Sequence, residues 1–313
     1  MSNDPRNLST PVDTDLPTYR HFTKPILDSV ERFRAVLMYS SLYLVVIAMV
    51  EVATAMLALS LPLSPAPLVV GLVTFAVYVG DRITDVDTDE AVDPNKADKC
   101  AFVRRHRSVL SVLSAASYGL AIAISVLGGP LALAITLLPG AFWVVYATDW
   151  LPTVGSYFKR LKDVLVVNSF IVALAWAIAV VLLPMAFADA ALTPAAVVVF
   201  VYFLVDTFVN TEIPNIADME GDAAIGVSTL PVAFGVTRTR QLLYGVDLAL
   251  VAFVGGAYVV GIVSTALAVA VLVGLAYALV LASRIGRTTN YSRLSVAGEA
   301  KHLVVIAVYL ALL

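Results

Sequence analysis

Charge is what this sequence has least of: 14% of its 313 residues are Asp, Glu, Lys or Arg, while 60% are apolar. Soluble domains carry roughly 25% charged residues. A chain this apolar cannot cover a water-facing surface with polar groups, which excludes an ordinary soluble globule and makes lipid the expected solvent. Cysteine is nearly absent too. Cys100 stands alone, so no internal disulfide can form and no cysteine-based zinc site can be built. The first 35 residues lack the early apolar core of a secretory signal. They are polar, contain proline and mix both signs of charge, and they read as a partly disordered cytoplasmic N-terminal arm. The net charge of −3 singles out no partner, and no nucleic-acid partner is expected.

What the chain has in abundance is long apolar runs. A helix needs about 20 apolar residues to cross the hydrocarbon. Runs of this kind lie near 36–60, 67–86, 109–127, 130–148, 163–184, 193–213, 240–259, 264–284 and 300–313. They predict an all-α membrane protein of about nine transmembrane helices, forming one domain over 36–313. The breaks carry turn residues, among them Gly128-Gly129-Pro130 and Pro152. The sixth helix is expected to continue to about 222, and the ninth run is short for a span. Between the runs, the loops near 61–66, 128–130, 185–192 and 260–263 hold no Lys or Arg, and all 20 basic residues fall on the other side. The positive-inside rule makes that side cytoplasmic, so the expected location is the cell membrane, multi-pass, with the N-terminus inside.

Two acidic patterns stand at cytoplasmic helix ends. The second helix closes on Asp81-x3-Asp85-x3-Asp89, and at 100° per residue these three share one face, while Asp87 points elsewhere. Like charges stacked this way destabilise a helix unless cations lie between them. The sixth helix ends on Asn215-x2-Asp218-x3-Asp222, again a pair one turn apart. A solvated acidic helix end explains one such stripe; two, four helices apart, suggest paired four-helix units and an oxygen-lined site for hard divalent cations. Five carboxylates repel an anion on their own. With Mg²⁺ bridging, the same set holds a diphosphate. Nearby loops add Arg104, Arg105 and Arg107, and Lys159, Arg160 and Lys162; most of these are topogenic charge, but Lys162 opens a helix beside the proposed site.

On these residues the chain resembles the UbiA-type membrane prenyltransferases, from about residue 30 to the end. Asp81-x3-Asp85-x3-Asp89 is similar to the family's Asn-x3-Asp-x3-Asp, with Asp81 replacing Asn. Asp218-x3-Asp222 is similar to its Asp-x3-Asp, and Gly226-Val-Ser-Thr-Leu-Pro231 to its Gly-x2-Thr-Leu-Pro loop. Arg160-Leu-Lys162 resembles the basic stretch that contacts diphosphate in the family. Arg82 and Ser228 depart from common family residues, and Asp93-Pro-Asn-Lys96 replaces an Arg-Pro-rich run. The pattern is closest in flavour to archaeal members. The resemblance implies a nine-helix bundle and Mg²⁺ as cofactor, with Asp81, Asp85, Asp89, Asp218 and Asp222 as metal ligands. It implies Lys162 as a catalytic charge, with Arg160, Arg104, Asn215, Tyr78 and Tyr146 contacting substrate. It further implies transfer of a prenyl group from a polyprenyl diphosphate, such as geranylgeranyl diphosphate, to a lipophilic acceptor within the lipid bilayer. Cyclisation without an acceptor is the near alternative. Cation-coupled transport is the distant one, since Glu51, Asp206 and Asp247 lie inside expected spans.

Overall fold

The structure, a computed structural model, describes residues 36–92, 97–147, 167–224, 226–288 and 290–313. The N-terminal arm, Arg160 and Lys162 lie outside the described residues. All regular structure among the described residues is helical. In chain order the helices are α1 (Leu42–Ala58), α2 (Ala66–Val92), α3 (Ala97–Ser125) and α4 (Gly129–Ala147). Then follow α5 (Val167–Ala177, running through the π-helical Ile178–Leu182 into Leu183–Phe187), α6 (Pro194–Ala217) and the short α7 (Met219–Ala224). The last three are α8 (Leu230–Val259), α9 (Thr265–Ala282) and α10 (Tyr291–Ala311). Among the described residues seven helical stretches, one of them the continuous Ala97–Ala141, are long and apolar enough to cross a membrane, and α1 is a shorter apolar helix. Each of the nine apolar runs of the sequence is occupied by helix.

Several helices are longer than their apolar runs. α3 starts at Ala97 rather than 109 and α10 at Tyr291 rather than 300, while α8 begins at Leu230 rather than 240 but breaks at Gly235, whose φ 75° and ψ 162° are not helical. Hydropathy marks only the part of a helix that sits in hydrocarbon, whereas backbone hydrogen bonding continues into the polar interface. The extension of α10 changes the reading of one residue. Lys301, counted above among the inner-loop charges, is ten residues into the helix, about 15 Å from its start, and is 1% exposed. Lys301 is therefore a buried partner rather than a topogenic charge. Its Nζ lies 2.8 Å from Asp206 Oδ1 and donates to Asn210 Oδ1 at 2.8 Å. Asp206 thus has its cation inside the bundle, as an intramembrane carboxylate requires.

Prolines inside the spans are accommodated locally. Pro139 interrupts the ladder of α4, and the Tyr118 hydroxyl of α3 enters the gap. It accepts from Gly140 N–H at 3.0 Å and donates to Thr136 C=O at 3.2 Å, restoring backbone groups that lipid could not satisfy. In α5 the π-helical Ile178–Leu182 precedes Pro184, a widening that relieves the ring's clash with the preceding turn.

The helices pack as neighbours in a single bundle. α2 packs between α1 and α3; α6 packs against α5, α8 and α10; α10 also packs against α1. At one end Tyr309 donates to Leu57 C=O at 3.2 Å, joining the ends of α10 and α1. At the other, Arg82 of α2 donates to Met38 C=O at 3.0 Å and to Tyr39 C=O, joining α2 to the chain that enters α1. The C-terminal ends of α2 and α6 share this second end, α2 packing on α1, α1 on α10 and α10 on α6.

Removing one partner of the buried pair should unfold the bundle more easily. Asp206→Ala leaves Lys301 without its counter-charge and is expected to cost about 3–5 kcal/mol, whereas Asp206→Leu with Lys301→Met should recover most of that loss. Thermal unfolding of detergent-solubilised protein checks both. Sidedness is testable because Cys100 is buried at 2% exposure and gives little background. Asp189→Cys, in the exposed turn after α5, should label with an impermeant maleimide from outside intact cells. Asp98→Cys, exposed at the start of α3, should label only after permeabilisation; the opposite pattern reverses the topology.

Candidate active site

The first acidic row rides on an unbroken helix. α2 continues to Val92, so Asp81, Asp85 and Asp89 keep the helical spacing that puts them on one face. Asp81 and Asp85 are exposed, and Asp85 stands open at the end of the bundle. The side chains of Asp89 and Tyr146 lie outside the described residues. Tyr78, one turn before Asp81, is half-buried and within electrostatic reach of both Asp81 and Glu299. Asp87, off this face as the spacing requires, pairs with Arg104 at 2.8 Å, both side chains being largely exposed. That places Arg104 as a tie between α2 and α3.

The second row is built by a break. α6 ends at Ala217, Asp218 caps it with φ −93° and ψ 5°, and α7 resumes at Met219. The chain thus stays helical to about the expected point. Asp222 N–H donates to Asp218 C=O at 2.9 Å, which stacks the two carboxylates one turn apart, both half-buried. The row is closed by Gly226 at φ 77°, a left-handed conformation that glycine adopts without steric penalty. Val227 N–H then reaches back to Asp222 C=O at 2.9 Å and Gly226 N–H to Ala223 C=O at 3.3 Å, a Schellman closure. The glycine of the Gly-x2-Thr-Leu-Pro loop therefore fixes the turn behind Asp222, and Thr229 with Pro231 starts α8.

Asn215 lies one turn before Asp218 and donates to Ser169 Oγ of α5 at 3.2 Å. It is engaged in holding α5 to α6 at the site. Glu212, which the sequence reading passed over, is fully buried beside Ser169, Asn215 and the Leu230 backbone, with no well-aligned hydrogen bond to either oxygen. A charged residue six positions before Asp218 in an otherwise apolar run was the available signal.

The donor set suits a hard divalent cation. Four described carboxylates in two helical rows offer oxygen ligands alone, without the sulfur or imidazole that would favour softer metals. The rows sit on separate helices, α2 and the α6–α7 segment.

The UbiA prenyltransferase family matches residues 41–303. Among solved structures, the chain is similar to a UbiA homolog from Archaeoglobus fulgidus bound to GPP and Mg²⁺, at 14% identity and a TM-score of 0.61, over 88% of this chain and 99% of that one. The same homolog bound to DMAPP and Mg²⁺ gives 14% identity and a TM-score of 0.60, over 88% and 98%. A digeranylgeranylglyceryl phosphate synthase gives 15% identity and a TM-score of 0.57, over 90% and 98%. No match is found among curated proteins. With the helices, both aspartate rows and the glycine turn in place, the chain belongs to the UbiA prenyltransferase family and is a multi-pass membrane protein of that fold.

Proposed function

We propose that this protein transfers a prenyl group from a polyprenyl diphosphate to a lipophilic acceptor inside the bilayer, using Mg²⁺. The observation that carries the reading is the pair of carboxylate rows, Asp81 with Asp85 and Asp218 with Asp222, at the same end of a bundle whose helices otherwise bury apolar side chains. The similar Archaeoglobus structures hold GPP or DMAPP with Mg²⁺, which supports the same substrate class here. The charge of these rows repels a diphosphate unless cations intervene. Bound Mg²⁺ supplies charge neutralisation for the leaving diphosphate.

This chain's own residues then divide the work. Asp81, Asp85, Asp89, Asp218 and Asp222 hold the cations, and Asn215 keeps the second row in register with α5. Arg160 and Lys162 supply positive charge to the diphosphate as the allylic C–O bond lengthens. Tyr78 and Tyr146 offer ring faces to the allylic cation. The isoprenoid tail lies among apolar helices, which is why the site opens to both lipid and water. The active-site end and the N-terminus face the cytoplasm, in line with the loop charges.

Asp85→Ala and Asp218→Ala should each abolish labelled-lipid formation from radiolabelled geranylgeranyl diphosphate while elution and thermal unfolding stay close to wild type. EDTA should do the same to wild type, and Mg²⁺ should restore it; normal turnover after exhaustive chelation refutes the metal site. Lys162→Gln should lose roughly a hundredfold or more in rate, in the range of a removed charge stabiliser, whereas Lys159→Gln should be mild. Equal and small effects assign that cluster to topology alone.

A further inference from the structure

Midway along the spans lies a convergence of side chains that prenyl transfer leaves unused. Glu51 is nine residues into α1 and His302 eleven into α10, about 14 and 16 Å from the helix starts. Each is 2% exposed. Asp206, whose Oδ2 is 3.2 Å from His302 Nε2, precedes Asp218 by twelve residues, about 18 Å along α6. The convergence is therefore separate from the second aspartate row.

Three ligand atoms meet there. Oxygens of Glu51 and half-buried Glu299 and a ring nitrogen of His302 lie within 4.8 Å of one another, and His302 Nε2 is 2.8 Å from Glu51 Oε1. Glu299 and His302 are one helical turn apart on α10, in the order Glu-x-x-His. Helical bundles that hold metal ions in their cores present that spacing from one helix and a further Glu from a neighbouring one. Glu51 supplies the further Glu here, and α1 packs on α10.

His302 is placed as a ligand rather than as a hydrogen-bond donor. Despite the two short approaches, its buried Nε2 has no aligned hydrogen bond to either carboxylate, and its ring is stacked on Phe203, 6.0 Å between centroids. The neighbouring groups already have uses. Lys301 Nζ lies 2.8 Å from Asp206 Oδ1 and matches that carboxylate. Trp176 Nε1 of α5 donates to Glu51 Oε2 at 2.5 Å, which leaves Oε1 turned to His302; metal-binding carboxylates are oriented by hydrogen bonds of this kind. Asp247 of α8 is also buried without a hydrogen-bond partner, but it is not among the converging atoms.

Charge selects the ion. Two carboxylates and a neutral imidazole carry −2, which one divalent cation cancels, and low dielectric favours a neutral set. Two oxygens and one nitrogen suit Zn²⁺ and similar borderline ions, whereas Mg²⁺ prefers oxygen alone. We propose that Glu51, Glu299 and His302 form a buried site for a divalent transition-metal ion of the Zn²⁺ class, clamping α1 to α10 and separate from the Mg²⁺ site. The inference goes beyond the prenyl-transfer reading and does not depend on it.

Binding, not turnover, is the test, so failure of the prenyl-transfer reading leaves its outcome untouched. Untagged full-length protein in detergent is loaded with Zn²⁺, desalted in excess Mg²⁺ and analysed for bound metal by mass spectrometry. About one Zn²⁺ per chain is expected in wild type, since three ligands hold one ion, and the same in the Asp85→Ala/Asp218→Ala double variant. Glu299→Gln and His302→Gln should each weaken binding by about a hundredfold or more. Zn²⁺ should also raise the unfolding temperature of wild type but not of Glu299→Gln. Zn²⁺ retained equally by Glu299→Gln overturns the proposal, as does its loss from the double variant. Should neither Glu299→Gln nor His302→Gln fold, Co²⁺ bound to the double variant reads the same site without altering it. Visible bands of a nitrogen- and oxygen-ligated ion support the site, and the spectrum of aqueous Co²⁺ alone overturns it. Wild-type protein that retains no Zn²⁺ after loading refutes the site outright.

Discussion

The hydrocarbon interior offers no water to a polar group, and the proline accommodations and buried ion pairs of this bundle answer that constraint. Backbone N–H and C=O groups can be satisfied only within helices or by a neighbouring side chain. The Tyr118 hydroxyl inserted into α4 at Gly140 and Thr136 and the π-helical widening ahead of Pro184 both restore what a proline removes. Two of the buried acids answer the same constraint with partners from other helices, whereas Asp247 and Glu212 do not. Asp206 is tolerated because Lys301 and His302 reach it from α10, and Glu51 because His302 and Trp176 do. The helices that supply these partners, α1, α5, α6 and α10, also pack against one another: α6 against α5 and α10, and α10 against α1.

Much of this was legible in the sequence because lipid enforces simple patterns. Apolar run length located the spans, and the i, i+4 spacing of Asp81, Asp85 and Asp89 survives in the unbroken α2. That helical chain reaches about residue 222 was also readable, although the break at Asp218 was not. Helix starts were not, because α3 and α10 begin in polar turns that hydropathy does not register, and the apolar first turn of α8 is cut off from its span by the break at Gly235. Lys301 was misplaced for that reason: ten residues of α10 precede it, and nothing in a one-dimensional charge count separates an interface lysine from a buried one. Asp206 was visible as an intramembrane acid, but its partner sits 95 residues away on another helix. Three-dimensional packing alone brings them together.

The family's low sequence similarity to its solved members, 14–15% identity over nearly their whole lengths, fits this division. Bundle shape depends on apolar runs and small-residue contacts that many sequences satisfy. The aspartate rows and the glycine turn at Gly226 are position-specific, since each needs a particular side chain or a left-handed φ. Asp81, which stands where the family usually has Asn, keeps the helical spacing of α2 and adds one negative charge to that face.

The break at Asp218 adds a further charge that the side chains do not reveal. α6 is 24 residues long, and its last carbonyls carry the partial negative charge, of about half an electron, that collects at a helix C-terminus. Asp218 caps that very end, so a carboxylate and a dipole of the same sign are stacked together, an arrangement that favours neither on its own. A cation bound there meets both. On the proposed reading, a cation held by Asp218 and Asp222 would also stabilise the turn that follows them.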